Sequence, residues 1–385
     1  MNASLLEPPV DRVRAWRGVR RLLAVRVDNM GDVLMTTPAL AAAAESVPGI
    51  EITLLGGPGA GALAPHLPMV REIIPARVPW VGGDAAAAPC DDHALIARLA
   101  AARFDAAIVF TVCTQSALPA ALLCRLAGIP LRLAHVRENP YGLLSDWVPE
   151  TDLVLAEARH EVRRQLDLVG HVGWHTTNEH LRFRLQPRDV ERIDAWLDHE
   201  WPDAAGTPLV VVHAGATAAS RRWPAERFGA AADALAREHG ARIVFTGSRD
   251  EAPLVAAARA RMRAPSHALA GRLSLGELGA LIARADVVVG NNSGPAHLAA
   301  ALGTPVVDIY ALTNPQHTPW RVPARVLNRD VACRGCLKSR CPEGHHRCIA
   351  GVTPDEAVGA ALELLGQPGD APARLPVLPI LEASA

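Results

Sequence analysis

The sequence predicts an α/β protein made of two doubly wound halves with a cleft between them. Three observations carry this. The apolar runs are short and β-branched and lack an in/out period of two, as strands buried on both faces of a parallel sheet do. They alternate with Ala-rich or amphipathic helical segments along the whole chain. The alternation breaks once, at a polar helix and a turn-rich linker, which sets the domain boundary near residues 186–206. The chain has 385 residues, half of them hydrophobic, which suffices for two cores.

The elements follow in order. Residues 1–20 form an N-terminal extension in which Arg12, Arg14, Arg17, Arg20 and Arg21 accompany Trp16. It is expected to be a solvated lead-in to the first strand, the alternative being contact with an anionic membrane surface. Domain one spans 21–186. Residues 21–27 (RLLAVRV) read as a strand, 28–32 as a loop, and the Ala-rich stretch to 46 as a helix that, because of Pro38, either starts at Thr37 or is kinked there. Strands follow at 51–55, 70–74, 105–111 and 131–135, with helices at 92–103, 115–127 and 161–169. A polar helix from Pro187 and a linker at 202–208 come next. Domain two spans 206–366, with strands at 209–213, 242–246 and 305–311 and helices at 224–238, 251–262, 274–284 and 353–365. Residues 367–385 are rich in Pro and Ala and read as a loose tail.

One stretch organises the second half. Val287, Val288 and Val289 form a central strand, and a turn through Asn292, Ser293 and Gly294 opens a helix carrying Pro295 and His297. Asn292 or Ser293 can cap that helix, Pro295 suits its first turn, and Gly294 allows close backbone approach. Free N–H groups and the positive dipole end then make a phosphate site without a metal.

Composition excludes several classes. The formal net charge is −1, which argues against bulk nucleic-acid binding. The first ten residues carry Glu7, Pro8 and Pro9 where a signal peptide has an apolar region, and no uncharged run reaches membrane-spanning length. A cytoplasmic protein is expected. There are seven cysteines, an odd number that argues against a disulfide scaffold, and Cys90, Cys113 and Cys124 are scattered.

Other candidates sit where strands end. Asp32 can accept a proton from a substrate hydroxyl, or it can act as a helix N-cap; Asp28 is the runner-up base. Arg222, between Arg221 and Trp223-Pro224, can fork onto diphosphate oxygens, with Thr217 and Ser220 as hydroxyl donors. Glu251 can bind a ribose hydroxyl or stabilise a helix start. Gly59-x-Gly61 imitates a dinucleotide fingerprint with Asp84 as its acid, but it follows the second strand and is read as a chance match. Cys333-x2-Cys336-x4-Cys341-x6-Cys348, with His345 and His346 inside it, is either a structural zinc or iron site or a reduced thiol-rich loop. No Walker loop, nucleophile elbow or zinc-protease motif occurs, nor an Asp-x-Asp that would hold Mg²⁺.

Four stretches together resemble glycosyltransferase family 9, the ADP-heptose:lipopolysaccharide heptosyltransferases. They are Arg26-Val-Asp-Asn-Met-Gly-Asp32 running on to Pro38, His213-Ala-Gly-Ala-Thr217 with Arg222-Trp-Pro224, Phe245 to Glu251, and Asn292-Ser-Gly-Pro-Ala-His297. The resemblance implies the GT-B architecture, with the acceptor on the first domain and the nucleotide sugar on the second. It implies inverting transfer of heptose from ADP-heptose to a lipid-linked inner-core oligosaccharide, with no metal required. Asp32 would be the base, with Arg26, Asp28 and Gly31 on the acceptor side. Thr217, Arg222, Glu251, Asn292, Ser293, Gly294 and His297 would bind the donor. Contact with the inner membrane's cytoplasmic face is a further expectation. Other readings are transfer of another nucleotide sugar or to a protein, a nicotinamide-dependent oxidoreductase, and a non-catalytic nucleotide-sugar-binding module.

Overall fold

The structure, a computed structural model, describes residues 10–82, 91–153 and 159–366. Asp84, Cys90 and the tail from 367 lie outside them. The chain divides into two units, Met1–Arg182 with Pro315–His317, and Phe183–Asn314 with Thr318–Ala385.

The first unit holds strands β1 (Arg21–Arg26), β2 (Glu51–Gly56), β3 (Val70–Pro75), β4 (Ala106–Val109), β5 (Leu131–Val136) and β6 (Asp146–Pro149). They form one sheet in the order β3-β2-β1-β4-β5-β6, with every pair parallel. Its helices are α1 (Val10–Arg17), α2 (Met30–Ser46), α3 (Asp92–Ala102), α4 (Leu118–Leu126) and α5 (Glu161–Gly170). β1, β2, β4 and β5 carry near-continuous buried runs, as helix cover on both faces demands. β6 escapes a sequence reading because its four residues alternate buried and exposed and include a proline.

Two expectations are corrected here. The N-terminal extension is not merely a solvated lead-in. Residues 10–17 are helical, and Trp16 is fully buried, edge-on to Trp174 and donating to Asp146 Oδ2 at 3.1 Å. Neither does α2 start at Thr37; it begins at Met30 and runs through Pro38. Pro38 cannot donate to the Leu34 carbonyl, and the Thr37 hydroxyl donates to it instead, at 2.6 Å.

The second unit repeats the plan. Its strands are β7 (Leu209–His213), β8 (Arg242–Thr246), β9 (His267–Ala268), β10 (Val287–Asn291), β11 (Val306–Ile309) and β12 (Ala324–Leu327). Their order, β12-β11-β10-β7-β8-β9, is the first sheet's order in mirror listing, again all parallel. The helices are α6 (Pro187–Glu200), α7 (Ala225–His239), α8 (Ala252–Arg259), α9 (Leu275–Arg284), α10 (Gly294–Leu302), α11 (Arg347–Ala350) and α12 (Pro354–Gly366). The polar helix α6 belongs to this unit, where Arg284 of α9 forks onto Asp194 at 2.6 Å. One core layer packs Val210, Val212, Ile243, Phe245, Val287, Val289, Val307 and Ile309 against α7, α8 and α12.

Each sheet reverses its winding between its first and fourth strands, the topological switch point where doubly wound sheets bind ligands at the strand carboxyl ends. In the first unit this point lies between β1 and β4, and in the second between β7 and β10.

Candidate functional site

At the first switch point β1 ends on Arg26, whose side chain is fully buried. A guanidinium there must be paired. Its Nε lies 3.1 Å from Asp28 Oδ2, one terminal nitrogen 3.2 Å from Asp32 Oδ1, and the other 3.1 Å from Glu161 Oε1 of α5. Asp32 is not the N-cap of α2, a position that falls to Asn29. It stands at the third helical position, and its Oδ2 accepts the Asn29 N–H at 3.1 Å. One oxygen thus caps the helix while the other faces Arg26, and the side chain stays 13% exposed. Holding the helix start therefore leaves this carboxylate partly accessible at the strand edge.

Asp28 is held more tightly than its position in the loop suggests. It takes a hydrogen bond from Gln115 Nε2 at 2.8 Å, which ties the end of β4 to the end of β1. Burial, with the charge of Asp32 beside it, raises Asp28 above the ordinary carboxylate range although Arg26 pulls it down. Gly31 is buried in the first turn of α2. Gly57, at the end of β2, is required by packing: a Cβ there would sit 2.8 Å from the Val27 carbonyl and 2.9 Å from that of Asp28. The Gly59-Gly61 stretch leads into a 3₁₀ turn, Ala60–His66, and opens no dinucleotide helix.

Sequence reasoning missed much of what surrounds Asp32. Glu161 and Arg164 of α5 are buried, and Arg164 pairs with Glu150, whose Oε2 accepts from its Nε at 2.6 Å. Burial alone would raise Glu161, but Arg26, Arg164 and His317 hold it below the usual range. His317, in the turn Pro315–His317, has Nδ1 3.9 Å from Asp32 Oδ1 and Nε2 4.0 Å from Glu161 Oε2. Nothing in local pattern points to these residues, which lie over a hundred positions from Asp32 in sequence. His135 is neutral, pushed down to about 3 by burial.

The second switch point is built differently. The fully buried amide of Asn291, at the end of β10, accepts the Trp223 N–H at 2.9 Å and donates to the carbonyls of Ala214 and Gly215 at 2.9 and 3.3 Å. It thereby stitches the loop after β7 to the strand beside it. Asn292 and His297 are buried, and Ser293 and Gly294 partly so. Ser293 holds the N-cap position of α10 without capping it, since its hydroxyl donates to the Asn291 carbonyl at 3.1 Å. The first amides of α10 are therefore not bonded by that side chain.

Arg222 is half-buried, and its Nε donates to the Ala216 carbonyl at 2.7 Å. This bond leaves the guanidinium's terminal nitrogens for a ligand. Thr217 is exposed, but Ser220 is no free donor: its hydroxyl bonds the Lys338 carbonyl at 2.6 Å. Glu251 caps the turn after β8, accepting the Ser248 N–H at 2.8 Å. Its carboxylate also lies on Gly215, where a Cβ would overlap it, and 3.8 Å from His213 Nε2. Burial lowers His213, so the ring favours its neutral form.

The cysteine loop lies in the same unit. Cys333, Cys336, Cys341 and Cys348 are all free thiols and line one narrow recess with His345 and His346. Cys333 Sγ comes within 3.9 Å of His345 Nε2. Among the described residues no three His, Cys, Asp or Glu side chains gather closely enough to hold a metal ion. The donor chemistry suits zinc or iron, while the spacing does not yet form a coordination shell.

Two doubly wound units, each with polar residues collected at its switch point, define a protein of the GT-B class. The family model for glycosyltransferase family 9 (heptosyltransferase) matches residues 93–347, and the chain belongs to that family. It is 25% identical over 362 residues to lipopolysaccharide heptosyltransferase 2 of Escherichia coli K12, covering 90% of this chain and 99% of that one. Among solved structures it resembles a family 9 glycosyl transferase from Veillonella parvula DSM 2008, with TM-score 0.73, 20% identity and coverage of 90% and 97%. It also resembles E. coli heptosyltransferase WaaC with ADP-2-deoxy-2-fluoro heptose, with TM-score 0.60, 22% identity and coverage of 89% and 99%. No described helix is long and apolar enough to cross a membrane.

Proposed function

We propose that this glycosyltransferase moves a heptose from ADP-heptose to the lipopolysaccharide inner core by inverting displacement without a required metal. The observation that carries the reading is the Asp32 carboxylate, held at the carboxyl edge of β1 by Arg26 and by its own helix start. Family membership and full-length relatives named lipopolysaccharide heptosyltransferases supply the substrate class.

Inverting transfer is one displacement at the anomeric carbon. Asp32 takes the acceptor hydroxyl's proton as the new C–O bond forms. The sugar–phosphate bond breaks, and ADP departs with the charge on its diphosphate. The terminal nitrogens of Arg222 and the amides of Ser293 and Gly294 meet that charge. Glu251, beside Gly215, accepts from a ribose hydroxyl, with Thr217, Asn292 and His297 completing the donor side. Arg26, Asp28 and Gly31 shape the acceptor side.

The test adds purified protein and ADP-heptose to a lipopolysaccharide core extracted from cells lacking the gene. A mass gain of one heptose is expected. No gain with any core acceptor, but gain with another nucleotide sugar or a protein acceptor, overturns it. Binding of NAD(P) in place of ADP points instead to an oxidoreductase.

Two subsidiary proposals accompany this. The first is peripheral contact with the inner membrane, supported by exposed Arg14 and Arg17 on α1 and exposed Leu122, Leu126, Tyr141 and Trp147. Co-sedimentation with anionic vesicles checks it. The second is a structural zinc or iron held by Cys333, Cys336, Cys341 and Cys348, supported by four free thiols facing one recess. Metal analysis should find about one ion per chain, lowered in Cys336→Ser. No step of transfer passes through it.

A further inference from the structure

In the network of ion pairs described above, carboxylates outnumber arginines. Arg26 and Arg164 stand among four carboxylates, those of Asp28, Asp32, Glu150 and Glu161. Buried carboxylates in excess of their cations repel and favour protonation, which would spoil a base. A ring nitrogen placed beside Asp32 would brace it there, and His135 does not do so, since its Nε2 is taken up by the Arg164 carbonyl at 3.1 Å.

His317 occupies that place. Its side chain is only 11% exposed, and its two ring nitrogens reach two different carboxylates, Nδ1 toward Asp32 at 3.9 Å and Nε2 toward Glu161 at 4.0 Å. The ring does not arrive there by chance packing of a loose loop. The preceding residue, Gln316, is buried, and its amide is held from both sides. Its Oε1 accepts from Cys113 Sγ at 3.1 Å, and its Nε2 donates to the Arg159 carbonyl at 3.2 Å. A three-residue turn with Gln316 as anchor thus delivers the imidazole to the base.

We propose that His317 is a positioning residue for transfer: its ring, fixed by Gln316, braces the carboxylates of Asp32 and Glu161 so that Asp32 stays ionised and directed at the acceptor hydroxyl. The inference rests on the reading of Asp32 as the base. His317 touches no reacting atom in this account. Its effect runs through Asp32 and belongs in kcat, leaving donor affinity alone.

The experiment compares His317→Ala, His317→Gln and Gln316→Ala, each alone and in an Asp32→Asn background, with circular dichroism to establish folding. His317→Ala should lower kcat about 10-fold or more while donor KM stays within about twofold, with part of the loss restored by added imidazole. Gln316→Ala should reproduce a smaller share of the loss. In Asp32→Asn protein His317→Ala should add almost nothing, because the group it braces is gone. If His317→Ala fails to fold, His317→Gln carries the same test, since it keeps the bulk and loses the imidazole. Full activity of the single variants beside a crippled Asp32→Asn overturns the positioning role alone. Normal turnover of Asp32→Asn overturns the base assignment, and the inference falls with it. A rise in donor KM at unchanged kcat also overturns it, since His317 would then be a donor contact.

Discussion

The two units share a topology and differ in electrostatics. At the first switch point the side chains are charged and buried: Arg26 with Asp28, Asp32 and Glu161, then Arg164 with Glu150. At the second, the buried polar side chains at and just after the end of β10 are the amides of Asn291 and Asn292. The nearest strand carboxylate on β11, Asp308, is fully buried with neither oxygen hydrogen-bonded, and burial pushes it up to about 8. A site that must hold a carboxylate ready as a base needs fixed counter-charges. On the proposed reading the second site receives a diphosphate on backbone donors and a helix dipole end. One fold serves both because the ligand edge is set by strand order, while its polarity is set by a few residues at the strand ends.

The comparison can be broken or sharpened by substitution, and the largest effect is expected at Asp32. Asp32→Asn should retain donor binding, measured by titration with ADP, and lose about 10²–10⁴-fold in turnover. Near-normal turnover would erase the acid/base character of the first site and direct attention to Asp28.

Asn291→Ala tests whether the second site is held by neutral hydrogen bonds. It removes three bonds made in full burial, two of them donated to the loop that leads to Arg222. A loss of about 2–4 kcal/mol in stability by denaturant titration, together with a raised donor KM, is expected. Unchanged stability would mean that water replaces the amide without cost.

Arg222→Ala removes the guanidinium held on the Ala216 carbonyl. Charge-assisted hydrogen bonds of roughly 1.5–3 kcal/mol correspond to a fall in kcat/KM of about 10–100-fold. Arg222→Lys should lose less, because charge remains although the fork is lost. Activity that vanishes with EDTA but survives Arg222→Ala would show a metal at work on the leaving group.

The last prediction concerns pH. Asp308 keeps its proton in the folded state up to about 8 and loses it near 3.8 when unfolded. Between those values the native state binds the extra proton, so stability falls as pH rises, by up to about 1.4 kcal/mol per pH unit. Asp308→Asn should flatten the pH dependence of Tm between pH 5 and 8, an interval within that window. An unaltered slope would place an unrecognised counter-charge beside Asp308 and weaken the contrast between the two sites.

Local chemistry by itself determined the alternation of strands and helices, the parallel sheets and the residues at strand ends. Short buried runs, Pro224 before its helix and Gly294 at the start of another are written in adjacent positions, so they are legible without a partner. The family pattern around Asp32, Arg222, Glu251 and Asn292 to His297 was legible for the same reason. What the tertiary structure decided are the long-range matters. Trp16 looked like part of a solvated arm because its partners, Trp174 and Asp146, come from far along the chain. Strand β6 was invisible because an edge strand carries half the apolar signal of a central one. Glu161, Arg164 and His317 gather around Asp32 only once β1, α5 and the turn at 315–317 are folded. Asn291 reads as the last residue of a strand until its amide is seen bridging two loops. Propensity and capping act over four residues, whereas desolvation and charge pairing act through space, and a linear pattern records only the first.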